Sequence, residues 1–325
     1  ALADILLGKQ NPSGKLATTW AKWEDYFPME DFGDRNDTRY WEGIYVGYRY
    51  FDSAGKRAMF PFGFGMSYTT FALDRVTACV AGDKVTVSAG VINTGRYPGK
   101  EVVQVYASAP QGKLDKPYQD LAAFGKTGLL APGECQTLTL TAGEYRLASY
   151  DDTGLTGHKS CYVLQPGAYR FYLGGSVREA VPAGSYVIDT LRVVQQLSEA
   201  AAPASSFPIW AAEEENGLRV PVKRTSGRRS VDLKQRILEN LPKEIRRTGD
   251  RGWKLKDVKD GKITLDTFVA QLDDTELEAI SRGGYIMNHP LGPKGNAGVF
   301  GGVTKSLRDK GVPPVVTTDG PSGIR

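Results

Sequence analysis

The residue of this chain best equipped by type and setting for chemistry is Asp319. It stands in "VVTTDGPSGIR", residues 315–325, where two valines and two threonines run into an Asp-Gly-Pro turn. An aspartate before Gly-Pro is ordinarily a turn former, because its short side chain bonds to neighbouring backbone. At the end of a buried strand the same carboxylate cannot be hidden, and its two oxygens accept a pair of hydroxyl protons. Vicinal hydroxyls of a sugar present such a pair. Arg325, six residues on, offers a second polar anchor or neutralises the aspartate.

The other candidates are weaker. The chain has two histidines, His158 and His289, and no spacing assembles a Ser-His-Asp set or a metal cluster around either. Three cysteines, Cys79, Cys135 and Cys161, form no CxxC pair and an odd number, against a disulfide framework or a zinc site. A reducing, cytoplasmic compartment is the expectation. "GKQNPSGKL" at 8–16 is not a phosphate loop: its glycines are six apart and Leu16 stands where Ser or Thr must hold Mg²⁺. "GFGMSY" lacks the third glycine of a dinucleotide fingerprint. Neither pattern calls for a nucleotide. Asn36-Asp37-Thr38 is a formal glycosylation sequon, relevant only to a secreted eukaryotic protein.

The strand that delivers Asp319 belongs to an α/β pattern over residues 263–325. Asp273 with Glu276 three residues later reads as a capping box. A helix with Leu277 and Ile280 on one face follows, ended by Gly283. Then come a glycine-rich loop, "GGYIMNHPLGPKGNAGVFGG", a short helix carrying Val303 and Leu307, and "PPVVTT", a nearly all-apolar strand of the kind a parallel sheet buries. Loop, helix, strand and a terminal carboxylate make one unit of a β/α barrel, whose active face lies at the carboxyl ends of its strands.

Upstream the pattern changes. Residues 72–195 alternate apolar and polar at period two in "KVTVSAGVINTG", "EVVQVYASAP", "CQTLTLTAGEY" and "YRFYLGGS", each closed by a turn signal, which predicts an all-β sandwich. Residues 1–71 are aromatic and glycine-rich, as loops packed on a neighbouring body would be. They open on "ALADILLG", an amphipathic helix with Leu2, Ile5 and Leu6 on one face and Gly8 at its C-cap. Residues 196–262 begin with "SEAAAPASS" and continue into a basic run, a linker signature. Within it "VDLKQRILENL" predicts a short helix.

Bulk properties bound the function. At 325 residues the chain has room for about two domains, and 41% hydrophobic with 24% charged residues is ordinary globular composition. No apolar run approaches the ~20 residues of a membrane helix, and the first residues carry no signal-peptide pattern. Net charge is +4, but residues 223–262 hold fourteen Lys/Arg against six Asp/Glu, a local +8 that leaves −4 for the rest. Trp253 is the only aromatic there, so base-stacking surface is lacking and nucleic acid is not the expected partner. Oligomerisation is left open.

"NPSGKLATTW", "EGIYVGYRYFD" and "FPFGFGMSYTTF" resemble the end of the second catalytic domain of family 3 glycoside hydrolases, the β-glucosidase family. "VINTGRYPGKEVVQVYAS" and "GECQTLTLT" resemble the fibronectin-III-like domain that follows it, and "TTDGPSGIR" resembles the first sugar-binding motif of the family's β/α barrel. The order is similar to that of permuted members, in which the barrel comes last. The resemblance implies the tail of an α/β sandwich domain over 1–71, a fibronectin-III-like sandwich over 72–195, a basic linker over 196–262 and the start of a TIM-type barrel over 263–325. It also implies that Asp319 binds hydroxyls of the glycone sugar, with Arg325 close by, that the substrate is a β-glucoside or an oligosaccharide, and that the enzyme works without metal or organic cofactor.

Such enzymes retain configuration through two carboxylates about 5–5.5 Å apart. In the family the nucleophile lies on a later barrel strand and the acid/base upstream in the α/β domain. No position here matches either motif, so the expectation is the middle of an enzyme, supplying glycone binding and scaffold and partnered by the missing parts of the same enzyme. The rival reading is a non-catalytic carbohydrate-binding module, with Tyr106, Tyr118 and Tyr172 as its aromatic platform.

Overall fold

A computed structural model describes residues 2–27, 33–199, 201–215 and 218–319. The chain divides into two compact units, residues 1–233 and 234–325.

The first unit begins with α1 (Leu2–Leu6), a 3-10 turn at Trp23–Asp25 and α2 (Tyr48–Ser53). Ten strands follow: β1 (Phe71–Ala81), β2 (Lys84–Asn93), β3 (Val102–Ser108), β4 (Asp120–Lys126), β5 (Cys135–Gly143), β6 (Ser149–Asp151), β7 (Cys161–Leu164), β8 (Gly167–Gly174), β9 (Val181–Ile188) and β10 (Arg192–Gln196), with α3 (Glu144–Leu147) between β5 and β6. They form antiparallel sheets ordered β1-β2-β5, β4-β3-β8-β9 and β10-β7-β6. Period-two alternation sends Val85, Val87, Ala89 and Val91 of β2 inward, where they meet Val103, Val105 and Ala107 of β3 and Tyr169, Phe171 and Leu173 of β8 in one buried core. That is a β-sandwich whose inner faces come from alternate residues of each strand.

β3 is buried on its other face as well. Gln104 and Tyr106, which alternate with the core valines, are 3% and 0% exposed. Tyr48 and Phe62 from the aromatic-rich segment cover Tyr106. A row of polar contacts fixes this cover. Tyr48 Oη donates to Asp120 Oδ1 at 2.7 Å and accepts from Leu121 N at 2.8 Å. Arg49 reaches the same carboxylate at 2.8 and 3.0 Å. Tyr45 Oη donates to Asp115 at 2.7 Å, and the buried Asp52 pairs with Arg178 at 2.9 Å. Aromatic loops thus pack on the sandwich through Tyr48 and Phe62, while Tyr45, Tyr50 and Phe51 form a separate cluster with Phe27 and Trp210. α1 departs from expectation: Leu2 and Leu6 are 71% and 74% exposed, so its apolar face lies open.

The stretch read as a linker carries more structure than its composition suggests. β11 (Pro208–Glu215) and β12 (Leu218–Thr225) form an antiparallel hairpin. Trp210 of β11 packs edge-on against Phe27 at 5.2 Å, and Ala211 is buried. α4 (Leu233–Glu239) falls where a short helix was expected, with Ile237 and Leu238 exposed.

The second unit contains α5 (Leu255–Lys259), α6 (Leu265–Ala270), α7 (Asp274–Arg282), β13 (Gly298–Gly301), α8 (Lys305–Asp309) and β14 (Pro314–Thr317). Phe268, Leu272, Ala279 and Leu307 form its core, with Trp253, Ile280 and Val312 packed around them. One expectation is corrected. Among the described residues β14 pairs only with β13, and antiparallel, and Val315 is 41% exposed. It is not a strand enclosed by parallel neighbours. The return after β13 holds only α8, and Gly302 N bonds Pro313 O at 3.0 Å, which folds the chain straight back alongside itself.

Candidate functional site

The site is built around the carboxyl end of β14. α7 packs against β13, the partner strand of β14. Asp273 accepts from Glu276 N at 2.8 Å and donates its own N–H to Glu276 Oε2 at 3.1 Å, the reciprocal capping box expected from the sequence. The other Glu276 oxygen takes Lys310 Nζ at 2.5 Å, and Asp250 meets the same ammonium at 3.1 Å. Burial opposes charge on Lys310, yet its bonds to the two carboxylates hold the ammonium above its ordinary pKa. This pins α7 to the end of α8.

Gly283 ends α7 at φ +69°, a left-handed value that a side chain would strain. Gly284 then bonds Val299 through both backbone groups, at 2.6 and 3.2 Å, and so lies beside β13. The loop from 285 to 297 folds on itself. Asn296, 2% exposed, is its hub: Oδ1 accepts from His289 N at 3.0 Å, and Nδ2 donates to His289 O at 3.1 Å and Pro293 O at 2.7 Å. Asn288, at φ +55°, accepts from Gly295 N at 2.7 Å. His289 Nδ1 accepts from Leu291 N at 3.2 Å, and its Nε2 lies beside Gly284. A Cβ on Gly284 would fall 2.6 Å from that Nε2, which explains the bare glycine there.

The loop returns beside the end of β14. Gly298 is paired with Thr317, Ala297 N donates to Thr317 O at 2.9 Å, and Thr317 Oγ1 donates to Gly298 O at 2.9 Å. The ladder ends at the Gly298–Thr317 pair, two residues before Asp319. Asp319 is exposed, two residues past the strand. Tyr285, Ile286 and Met287 open the loop and are 77%, 50% and 68% exposed, with Arg282 over the Tyr285 ring at 5.3 Å. An exposed carboxylate just past a strand end is free of core packing and can accept hydrogen bonds from hydroxyl or N–H donors.

Of the two site residues read from the sequence, Asp319 falls at this end of the hairpin; Arg325 and the Gly320-Pro321 turn lie outside the described residues. Sequence reasoning missed Asn288 and Asn296. Their signal was available: two asparagines eight apart in a loop rich in Gly and Pro, residues that close loops onto their own backbone. Tyr106 offers no sugar platform because it is fully buried, whereas Tyr118 is 48% exposed.

Shifted groups in the first unit have structural explanations. Asp151, fully buried, accepts from three backbone N–H groups and the Thr156 hydroxyl; these lower its pKa against the opposing effect of burial. Burial lowers the Lys116 ammonium to about 8, while its Nζ donates to Pro110 O and Gln165 Oε1 at 2.8 and 2.7 Å.

Comparison with known proteins identifies both parts of the first unit. Residues 1–68 match the Glycosyl hydrolase family 3 C-terminal domain, and residues 101–177 match the Fibronectin type III-like domain. A β-glucosidase of Ruminococcus albus is 43% identical over 99% of this chain, which covers 34% of that protein. β-Glucosidase A of Butyrivibrio fibrisolvens is 38% identical over the whole chain, covering 42% of its own length. Among solved structures, a β-glucosidase from Paenibacillus barengoltzii superposes with a TM-score of 0.89 and 45% identity over the whole chain and 36% of its own. The chain spans 34–42% of the length of these relatives. It belongs to glycosyl hydrolase family 3.

Proposed function

We propose that this chain forms part of a retaining β-glucosidase-type enzyme acting on terminal β-linked glucosyl residues, with the two catalytic carboxylates contributed by other parts of a longer polypeptide. In this reading residues 263–325 open a β/α barrel, and Asp319, joined by Arg325, binds hydroxyls of the glycone sugar. The observation that carries it is the 43% identity to a β-glucosidase running over 99% of the chain, second unit and β14 included.

The chemistry follows from the family's two-step displacement. One carboxylate attacks the anomeric carbon while the other protonates the leaving oxygen, and water then releases the sugar. Hydrogen bonds to ring hydroxyls that tighten as the ring flattens lower the barrier beyond what ground-state binding gives. An exposed Asp319 at a strand end suits that task, because its carboxylate carries little packing duty in the fold.

The chain alone is expected to leave an aryl β-glucoside intact, while the longer polypeptide hydrolyses it with retention. Sustained turnover by the purified 325-residue chain, with kinetics that follow its concentration, would overturn the division of labour.

A further inference from the structure

We propose that the cleft between α1 and the Tyr97–Lys100 turn is a binding site for an acidic oligosaccharide, one whose pyranose rings carry carboxylates. The cleft is an open concavity of about 870 Å³ within the first unit, in the range of small-ligand sites. Lys9, Lys100 and Lys126 line it, and no carboxylate does. None of the three lysines has an ion-pair partner among the described residues. Glu101, the acidic neighbour in sequence, is committed elsewhere: it pairs with Lys15 at 2.8 Å and accepts from Val102 N at 2.7 Å. Lys126 pairs with Val102 in the β3–β4 ladder, which brings it beside Lys100 at one wall. Three uncompensated ammonium groups around one concavity make a positive field that selects anions.

The rest of the lining says which kind of anion. Tyr68 and Tyr97 keep 47% and 59% of their surface open, and the exposed Leu6, Leu7 and Leu129 add apolar lining. Ring faces and aliphatic patches receive the CH faces of pyranose rings, while Gln10 and Ser13 are available for hydroxyls. Lysines act as point charges on separate carboxylates rather than as the planar fork that grips one phosphate.

The walls are preorganised. Tyr68 Oη donates to Ile5 O at 2.7 Å, tying α1 to the cleft. Asn11 donates to Pro98 O at 3.0 Å and accepts from Ser67 Oγ and Tyr68 N at 3.0 and 2.9 Å, holding three segments together. A Cβ on Gly99 would fall 2.7 Å from Asn11 Nδ2, so only glycine permits that approach. Little ordering remains for a ligand to impose. The inference stands on these residues alone and is independent of the role given to Asp319.

Calorimetric titration of the 325-residue chain with α-1,4-tetragalacturonate at low salt tests it, with cellotetraose, inorganic phosphate and a short single-stranded oligonucleotide as comparisons. One site for the tetragalacturonate is expected, and no binding of cellotetraose. The K100E/K126E double variant should weaken binding by about tenfold or more, since each lysine lost removes a charge-assisted contact. Tyr97→Ala should weaken it several-fold, roughly one stacked ring's share. The milder K100Q/K126Q pair and an unchanged melting temperature guard against misfolding. Absence of binding, equal affinity in the lysine variants, phosphate binding as tight as the sugar acid, or preference for the oligonucleotide would each overturn the assignment.

Discussion

Replacing Tyr48 by phenylalanine tests how the aromatic segment is held on the sandwich. The side chain is 8% exposed, with its ring 4.6 Å from Phe62 and 6.1 Å from Tyr106. Phenylalanine keeps those contacts. What it loses is the hydroxyl that donates to Asp120 at 2.7 Å and accepts from Leu121 N at 2.8 Å. A hydrogen bond to a charged group contributes about 1.5–3 kcal/mol. Asp120 is partly exposed and keeps Arg49 as a partner, so a net loss of ~1–2 kcal/mol is expected. At about 2–4 °C per kcal/mol for a unit of this size, the melting temperature should fall by ~2–8 °C. Tyr48→Ala also removes the ring from its cluster and should cost ~3–5 kcal/mol. Thermal unfolding followed by circular dichroism, with limited proteolysis between residues 33 and 70, reads both effects. The reasoning fails if Tyr48→Phe melts within a degree of wild type while Tyr48→Ala also stays resistant to protease.

Two further predictions concern pH. Lys116 has a folded pKa of about 8, below its ordinary value because it is buried, so the native state sheds this proton before the unfolded state does. Stability should therefore rise from pH 7.5 to 9.5, by ~2 kcal/mol from this group; denaturant titrations should show the rise in wild type and its absence in Lys116→Met. Glu199 is held at about 2 by Lys159 and by Ser230, with Lys159 Nζ at 2.7 Å and Ser230 N at 2.6 Å. Its stabilisation is complete above the ordinary glutamate pKa and is lost as pH falls from about 4.5 toward 2. Glu199→Gln should flatten that acid limb, and an unchanged acid slope would contradict the assignment.

Much of the sandwich was legible because burial on one face imposes period two on the sequence. "KVTVSAGVINTG" and "YRFYLGGS" show that period and form β2 and β8. β4, "DLAAFGK", and β9, "VPAGSYVI", did not stand out, because glycine and alanine blur the alternation in strands half-open to solvent. The β11–β12 hairpin was hidden by charge. Its strands carry glutamates and a basic run that read as a connector, yet the ladder joins them and Arg224 meets Glu213 at 3.2 Å.

At the candidate site, the capping box of α7 and the strand before Asp319 followed from local rules that need no tertiary partner. The pairing direction of β14 did not. Four apolar residues fit a parallel or an antiparallel neighbour equally well, and only the fold of the preceding loop decides. The asparagine hub at 288 and 296 showed only in the composition of its loop, since side chain-to-backbone bonds spanning three to seven residues leave no periodic trace.

The central claim is that Asp319 binds the glycone, and the most direct test is Asp319→Ala in the longer enzyme that this reading requires. Two charge-assisted bonds to sugar hydroxyls, about 1.5–3 kcal/mol each, predict a loss of roughly 100-fold or more in kcat/KM for an aryl β-glucoside. The melting temperature should stay near wild type, because the exposed side chain of Asp319 holds no core packing. Near-normal kcat/KM with a lowered melting temperature would contradict the account and leave Asp319 a turn former.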